Sequence, residues 1–491
     1  MKLLTITAGL LLAVAPLAAD RLVRLHGLVD CSIESLLEEG YEIANSSVSD
    51  GYVDILISER DLYTLEGKAE DIRLLPIEWS QLLPENSRNA GYYYSPEENW
   101  AFWCNQASVH SDLVDTPVTI GLAFEDRDIY MIRMTSASGP PTKPSILFTA
   151  LTHAREPGGN AVLIDWSMWL ADEYGSDTMA TFILDNAQIY FIPIVNPDGY
   201  LENMPGGGMH RKNMNFSVPV PSSGIDLNRN FGYMWGYDNI GSSPDPYSST
   251  YRGSSAFSED ETQTVRDFFL AIEPVGVMHY HDWGGYLLHP WGYTSSNCPD
   301  YATYQAWGAQ MTAQNNYTYG SCSYCLGYPA NGDASDWSYG DPSHPFCMSM
   351  SPEVGFNGFW GGQNDSTIIA VDCADCRFMN KLFCMFLLES VGIAVETSQE
   401  IAGDLSITGL SPNPVAGYMS ISLDLPGSPV EISVFDLLGR KVGTISTEDI
   451  QSGENVVNWV VPSGIPDGVY LVRAVSGDAV SVSRFTLLRH R

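Results

Sequence analysis

The fold of this chain is decided by the stretch SILFTALTHAREPGGN, residues 145–160. Its apolar beginning is typical of a buried strand, and the segment that follows, AVLIDWSMWLADEY, has the pattern of a helix. A strand therefore ends, and a helix begins, where His153 and Glu156 stand three residues apart. A His-x-x-Glu pair can bind a metal ion, but it also arises by chance, because glutamate is favoured in the first turn of any helix.

The composition indicates a large folded protein. A length of 491 residues suggests two to four domains. The chain is 44% hydrophobic and only 17% charged, which excludes a disordered protein. Its formal net charge of −35 argues against a nucleic-acid partner, since such binding needs a basic face. A solvated acidic surface is the simpler interpretation.

The first 19 residues have the pattern of a secretory signal peptide. Lys2 precedes an apolar run, and small residues follow at 16–19, with cleavage expected near Ala18 or Ala19. No later segment has about 18 uninterrupted apolar residues, so we expect no transmembrane span. The sequence thus predicts a secreted or cell-surface protein.

The nine cysteines are expected to form disulfides, because an exported chain meets an oxidising environment. Two Cys-x-x-Cys pairs, 322/325 and 373/376, offer a four-cysteine zinc site as the alternative. No zinc-ribbon sequence surrounds them, which favours disulfides. An odd count leaves at least one thiol free.

Four segments follow the signal peptide. Residues 20–78 read as strands and helices in the order β-α-β-β-α-β, which predicts a small α+β module of the ferredoxin-like kind. Residues 79–98 are interpreted as a linker. Residues 99–392 alternate apolar strands with amphipathic helices and predict an α/β domain with a mixed sheet. Residues 404–491 carry short alternating strands separated by Gly and Pro turns, which predicts an all-β sandwich.

Polar residues at other strand ends strengthen the case for a metal site. His279 closes the run GVMH, and a distant third ligand joined to a close pair is a frequent arrangement for catalytic zinc. In the loop GIDLNRN, Asn228 and Arg229 suit carboxylate binding, and Asp226 suits the orientation of a ligating histidine. Glu353 follows the run FCMSM and suits a general base.

These segments carry a family resemblance. THARE, NPDGY, HRKN, DLNRN, YRGSSAFSEDET, MHYHDWGG, LLHPWGYT, GYPANGDASDWSYG and SPEVGF occur in the order found in zinc carboxypeptidases of the carboxypeptidase A/B type. The resemblance covers roughly residues 92–392. It implies a mixed-sheet α/β/α catalytic domain, one zinc ion per domain, and hydrolysis at the C-termini of peptides or proteins.

The resemblance also implies roles for individual residues. The implied positions are zinc ligands His153, Glu156 and His279; Asp226 behind the first histidine; Arg211 at the scissile carbonyl; Asn228 and Arg229 as the clamp on the substrate carboxylate; Tyr328 as a mobile tyrosine; Arg155 as a subsite arginine; and Glu353 as general base. Two positions depart from the pattern: His281 stands where the family often has tyrosine, and Pro352 directly precedes Glu353.

The flanking modules resemble other known segments. Residues 20–78 resemble the propeptide modules that precede bacterial members, which implies that they cover the active site until removed. Residues 404–491 resemble the C-terminal sorting domains of type IX secretion cargo, which implies export by that machinery in a Gram-negative bacterium. A plain β-sandwich binding module is the alternative for this last segment.

Specificity is expected to depend on the segment PANGDASDW. Ser335 is small and neutral where the family's pocket residue stands, and Asp333 could attract a cationic side chain or only stabilise its own turn. We therefore expect apolar and basic C-terminal residues to be accepted. The alternatives are a cell-wall peptide amidase or a deacylase on the same site, and a non-enzymatic binding protein displayed at the surface.

Overall fold

The structure is a computed structural model of the chain. It describes residues 20–29, 31–58, 61–75, 93–204, 208–217, 224–360, 366–393, 405–411, 415, 417–425, 430–436, 441–447, 453–465, 468–476 and 479–487. The predicted signal peptide and residues 79–92 of the predicted linker lie outside these ranges. The chain divides into two compact units, residues 1–388 and 389–491.

The N-terminal module forms a four-stranded antiparallel sheet. Its elements are β1 (Asp20–Leu28), α1 (Ile33–Glu38), β2 (Glu42–Ser47), β3 (Tyr52–Ser58) and β4 (Ala69–Leu75). The strand order β2-β3-β1-β4 is the one that the predicted ferredoxin-like module requires. The second predicted helix is only a 3-10 helix, Leu62–Leu65. Val23, Leu25, Val53 and Ile55 form the core of this module.

The middle of the chain builds a nine-stranded mixed sheet. Its strands are β5 (Val118–Leu122), β6 (Asp128–Met134), β7 (Ser145–Thr149), β8 (Gln188–Ile192), β9 (Gly276–His279), β10 (His281–Asp282), β11 (Tyr286–Leu288), β12 (Thr318–Gly320) and β13 (Met348–Val354). The order is β12-β11-β13-β9-β7-β8-β6-β5, and β10 pairs with β13. The strands β7, β8, β9 and β13 run parallel, whereas β5 and β6 pair antiparallel with their neighbours. Strand β11 pairs antiparallel with β13 and parallel with β12.

Nine helices are described in the same domain. They are α2 (Pro96–Val109), α3 (Pro157–Asp172), α4 (Thr178–Asn186), α5 (Pro197–Asn203), α6 (Asp260–Ile272), α7 (Tyr301–Met311), α8 (Cys322–Cys325), α9 (Ala334–Gly340) and α10 (Ser366–Ser390). Helix α2 begins before the predicted domain start at residue 99, because Ser95 and Glu98 form a capping box there.

Helices cover both faces of the sheet. Successive residues of a strand point to opposite faces. On β7, Leu147 belongs to a core with Phe269 of α6 and Trp337 of α9. Its neighbour Phe148 instead packs on Trp166 of α3 and on aromatic residues of β8 and α10. The predicted α/β/α arrangement is therefore confirmed.

The sheet brings distant segments together at one edge. Because β7, β9 and β13 run parallel, their carboxyl ends lie at the same edge of the sheet, where ligands bind in open α/β folds. The residues 150–156 leave the sheet at this edge after β7. His281 of β10 pairs with Glu353 of β13 at the same level.

The C-terminal unit is all β, as predicted. Its strands are β14 (Ser406–Ser411), β15 (Tyr418–Leu425), β16 (Glu431–Asp436), β17 (Lys441–Ile445), β18 (Gly453–Val460), β19 (Gly468–Ser476) and β20 (Ala479–Leu487). They form two sheets, β14-β15-β18 and β17-β16-β19-β20. Buried residues of both sheets, such as Ile421, Val434, Trp459 and Phe485, share one core.

Two further expectations concern the whole chain. Within the described ranges, no helix combines the length and the apolar character needed to cross a membrane. All nine cysteines are free thiols, so the expected disulfides are not formed. Six of them are buried, which makes them part of the core rather than links across it.

Candidate metal centre and substrate cavity

Three buried side chains meet at the carboxyl edge of the sheet. His153 Nδ1 lies 2.8 Å from Glu156 Oε1 and 3.1 Å from His281 Nδ1, and His281 Nδ1 lies 2.9 Å from Glu156 Oε2. Donor atoms bound to one tetrahedral zinc ion at 2.0–2.1 Å would lie about 3.3 Å apart. Two imidazole nitrogens and one carboxylate are also the chemistry that catalytic zinc prefers. The residues present therefore fit a zinc ion.

The structure does not bring His279, the predicted third ligand, into this cluster. His279 is still inside the sheet, level with Thr149 of β7, and its ring contacts Thr149 Oγ1 at 2.8 Å and Ser338 Oγ at 3.0 Å. Burial lowers the pKa of His279 to about 3, so the ring is a neutral part of the core. His281 lies two residues further on, beyond the end of β7, where it reaches His153.

Asp226 organises the polar groups around the centre. It is fully buried, and its Oδ1 lies 3.2 Å from His153 Nε2 and accepts a hydrogen bond from Asn228 N at 3.0 Å. Its Oδ2 accepts hydrogen bonds from Arg211 Nε and Nη2 at 3.1 and 2.9 Å. Burial would raise the pKa of Asp226, but Arg211 and His153 hold it well below its usual value. The prediction that Asp226 stands behind His153 matches this geometry.

The carboxylate of Glu156 is also kept ionised. Burial works to raise its pKa, but the charges and hydrogen bonds of His153 and His281 lower it below the usual value. A deprotonated carboxylate is what metal coordination requires. Arg211 lies near the same group, with Nη1 at 3.8 Å from Glu156 Oε1.

One cavity contains most of the predicted site. Its walls include His153, Glu156, His281, Arg211, Asn228, Arg229, Tyr328, Asp333, Ser335 and Glu353. The sequence placed these residues near the catalytic centre, except His281, which it noted only as standing where the family often has tyrosine. A concave pocket lined by a few convergent polar groups is the form expected of an active site.

Glu353 enters this cavity from β13, beside His281. Burial raises the pKa of Glu353 well above its usual value, and the nearby carboxylates of Glu156 and Asp282 raise it further. Arg211 and Arg229 oppose the shift. A carboxyl group that lines the cavity beside the metal cluster is placed where a general base is required.

Asn228 and Arg229 occupy a 3-10 turn that begins at Asp226. Arg229 is 5% exposed, and its Nη1 donates to the carbonyl of Asn228 at 2.7 Å. Its Nε is buried and has no partner among the described residues. The guanidinium therefore retains donor capacity inside the cavity. Asn228 Oδ1 accepts a hydrogen bond from Ala334 N at 2.9 Å, which ties the turn to α9.

Tyr328 and Arg155 both contact the N-terminal module. The Tyr328 ring packs against the core of that module, and burial raises the pKa of its hydroxyl to about 12. Arg155 is fully buried, donates a hydrogen bond to Glu42 Oε1 and lies over the ring of Phe359 at 4.4 Å. Arg155 is not among the described residues that line the cavity, so the structure does not place it at the predicted subsite.

The N-terminal module closes one side of the cavity. Leu37, Glu42, Ile43 and Ala44 belong to the cavity wall. Strand β2 is further held by hydrogen bonds, since Ser46 O accepts from the Tyr286 hydroxyl at 2.8 Å and Ser46 Oγ donates to Leu326 O. The module is thus packed on the catalytic domain directly over the candidate metal centre.

Asp333, which also lines the cavity, is the N-cap of α9. Its Oδ1 accepts a hydrogen bond from Asp336 N at 2.9 Å, whereas its buried Oδ2 has no partner in the described part of the chain. Burial raises the pKa of Asp333, and its cap hydrogen bond and the charge of Arg229 oppose that shift. Ser335, beside it, lies 2.9 Å from Ser349 Oγ and leaves room in the cavity.

Comparison with known proteins agrees with this geometry. A family model described as zinc carboxypeptidase matches residues 101–369. The chain belongs to the zinc carboxypeptidase family. Rat (Rattus norvegicus) carboxypeptidase A1 is 29% identical over 59% of this chain and 71% of its own length. Bovine (Bos taurus) carboxypeptidase B is 31% identical over 62% of this chain and 73% of its own. The protein is thus a zinc metallocarboxypeptidase.

Solved structures agree on the fold. Thrombin activatable fibrinolysis inhibitor superposes with a TM-score of 0.63 at 21% identity and covers 75% of this chain and 98% of its own. Carboxypeptidase A from Helicoverpa armigera gives 0.64 at 20% identity and covers 76% and 98%. The superposed part of this chain is longer than the segment 101–369, so the likeness of fold extends past the region that matches the family model.

The end of the chain matches a second model, described as a secretion system C-terminal sorting domain, over residues 410–487. This match confirms the predicted likeness of the C-terminal sandwich to sorting domains. The zinc carboxypeptidase is accordingly secreted or held at the cell surface.

Sequence reasoning missed His281 as a member of the metal cluster and Glu42 as part of the cavity wall. A signal for His281 was present, because residues i and i+2 of a strand project from the same face, so either histidine of HYH could have reached the site. No signal pointed to Glu42, which lies 113 residues from its partner Arg155.

The two histidines can be separated by experiment. We expect His281→Ala to lose zinc on dialysis, because one of three donor groups is removed. His279→Ala should keep one zinc ion per chain but unfold at a lower temperature, since two buried hydrogen bonds and packing are lost. Elemental analysis and thermal unfolding measure the two effects. Full zinc content in His281→Ala would contradict the assignment.

Proposed function

We propose that this protein cleaves the last residue from peptide and protein C-termini, with zinc held by His153, Glu156 and His281. The observation that carries the proposal is that these three residues share one cavity with Glu353, Arg211 and the Asn228–Arg229 pair. When bound, zinc supplies a Lewis acid that makes water a nucleophile near neutral pH. The remaining chemistry falls to side chains of the chain itself.

Glu353 is proposed as the general base. It lies beside His281 in the sheet and lines the same cavity, so its carboxyl group is within the site where the attacking water would be activated. It would accept the proton from the attacking water and pass it to the leaving amine. Arg211, fixed by two hydrogen bonds to Asp226, is placed to meet the negative charge that develops on the carbonyl oxygen.

The Asn228–Arg229 pair is proposed to bind the free carboxylate of the substrate. A guanidinium can donate two parallel hydrogen bonds to a carboxylate. Arg229 keeps a buried donor without a partner among the described residues, which is the state expected of a site that waits for an acceptor. Selection of a terminal carboxylate would make the enzyme an exopeptidase rather than an endopeptidase or a deacylase.

We propose that the pocket accepts both apolar and basic terminal side chains. Ser335 is neutral and small, so large apolar side chains are not excluded. Asp333 uses one carboxylate oxygen as a helix cap, and its other oxygen is buried without a hydrogen-bond partner among the described residues. The free oxygen can pair with the cation of Lys or Arg.

The N-terminal module is proposed to keep the enzyme inactive until it is removed. It contributes four residues to the cavity wall and holds Arg155 through Glu42.

Export is proposed to start with residues 1–19 as a signal peptide, and to proceed through the type IX machinery of a Gram-negative bacterium.

Loss of the general base should separate catalysis from metal binding. We expect Glu353→Gln to keep one zinc ion per chain and to lower kcat by roughly 10²- to 10⁴-fold, the usual contribution of general-base catalysis. Glu97→Gln, an exposed position in α2, serves as the control and should turn over normally. Near-normal kcat for Glu353→Gln would reject the assigned role.

Specificity can be tested at Asp333. Asn in its place can still cap α9 but cannot supply the charge, so we expect kcat/KM for an Arg-terminated peptide to fall about tenfold or more, the value of a charge-assisted hydrogen bond. Values for Phe- and Leu-terminated peptides should stay the same. Equal losses on all three peptides, or a wild type inactive on Arg ends, would count against the proposal.

The role of the N-terminal module is tested by comparing two forms of the enzyme. Protein beginning at Asp20 should hydrolyse peptides more slowly than protein trimmed near residue 90. Glu42→Gln in the longer form should raise activity, because the ion pair with Arg155 is lost. Glu39→Gln, which removes the exposed pair with Lys68, is the matched control. Equal rates for both lengths would show that the module does not inhibit.

A further inference from the structure

Helix α3 begins after a residue whose side chain does not cap it. Glu156 is the N-cap of α3, but its side chain makes no capping hydrogen bond. Its carboxylate is instead turned toward His153 and His281. Pro157 occupies the first helical position and has no N–H. The first donors left without a partner inside the helix are therefore the backbone amides of Gly158 and Gly159.

Asp282 accepts both of these hydrogen bonds from another part of the chain. Gly158 N donates to Asp282 Oδ2 at 2.5 Å, and Gly159 N donates to Asp282 Oδ1 at 3.0 Å. These are the second and third helical positions, which an N-cap side chain normally serves. A carboxylate there also interacts favourably with the positive end of the helix dipole.

The two glycines allow this approach. A Cβ atom on Gly158 would lie 2.8 Å from Asp282 Oδ2, and one on Gly159 would lie 2.7 Å from Tyr280 Cβ. Any larger residue at either position would push α3 away from the strand that carries His281. The sequence PGG after Glu156 thus serves the contact between helix and strand.

Burying the carboxylate of Asp282 costs more free energy than capping a helix requires. It is 4% exposed, and the charged side chains that act on it in the described ranges are the carboxylates of Glu156 and Asp372, not basic groups. A buried carboxylate without a cation is costly, and an uncharged Ser, Thr or Asn caps a helix about as well. Asp282 is therefore expected to have a second role besides capping α3.

We propose that Asp282 is a positioning residue for the zinc site, an inference that rests on the proposed zinc ligands. Asp282 follows His281 directly, and the helix it caps begins directly after Glu156. One carboxylate thus links the strand that carries one proposed ligand to the helix end that carries another. This link sets the separation between Glu156 and His281 before any metal binds.

Asp177 provides a matched control. It caps α4 in the same way, with its Oδ1 accepting from Met179 N at 2.7 Å and from Ala180 N at 3.1 Å. It is not one of the residues that line the cavity. Asp177→Ala and Asp282→Ala each remove one carboxylate and two bonds to helix amides, but only the second affects the proposed link.

The test uses the full chain, made zinc-free with a chelator. Zn²⁺ is then titrated against a chromophoric chelator to obtain its Kd, and the thermal unfolding of the zinc-free protein is recorded. We expect Asp282→Ala to weaken zinc binding by about 10- to 100-fold, the usual effect of losing a group that orients a ligand. Asp177→Ala should lower Tm but leave Kd within about twofold, since α4 carries no proposed ligand.

Asp282→Asn serves if the alanine variant does not fold. Its amide oxygen keeps one of the two acceptors, so we expect a Kd between those of wild type and Asp282→Ala. A wild-type Kd in the Asp282 variants, or an equal loss in Asp177→Ala, overturns the positioning role. A wild type that fails to bind one zinc ion per chain overturns the proposed ligand set as well.

Discussion

The carboxylate of Asp226 is the group on which the geometry of the active site depends. It is buried without solvent contact, and its two oxygens contact different residues of the candidate site. One side holds the ring of His153 and the backbone of Asn228, and the other holds Arg211. Three parts of the site are thus fixed relative to one another by a single charge. The neighbouring cations keep that charge ionised, and without them the desolvation cost would favour protonation.

Much of the architecture could be predicted from the sequence because it follows from local patterns. Apolar runs such as SILFTAL and VGVMHY identified strands of the central sheet, and polar residues directly after such runs indicated the edge where ligands bind. What failed was the exact strand end. A register error of two residues keeps a side chain on the same face, so neither periodicity nor polarity distinguished His279 from His281.

Other failures share a different cause, which is tertiary context. Arg155 lies between His153 and Glu156 in sequence, yet its side chain pairs with an acid from the N-terminal module. The disulfide expectation rested on the compartment and not on distances between thiols, and the buried cysteines instead pack in cores. Such partners lie far apart along the chain, and sequence patterns do not report them.

The chain as a whole is strongly negative, whereas its cavity contains arginines, and this contrast in charge affects the rate at which peptides encounter the enzyme. A molecule with a net charge of −35 sets up a field that repels anionic peptides and attracts cationic ones over distances of about one Debye length, roughly 8 Å at physiological ionic strength. The arginines that would receive the terminal carboxylate act only after the peptide has passed through this repelling field. The overall negative field thus favours cationic peptides during diffusion, whereas the arginines of the cavity favour an anionic group at the final docking step. Peptides with a basic body and a free carboxylate satisfy both stages, and added salt narrows their advantage over acidic competitors.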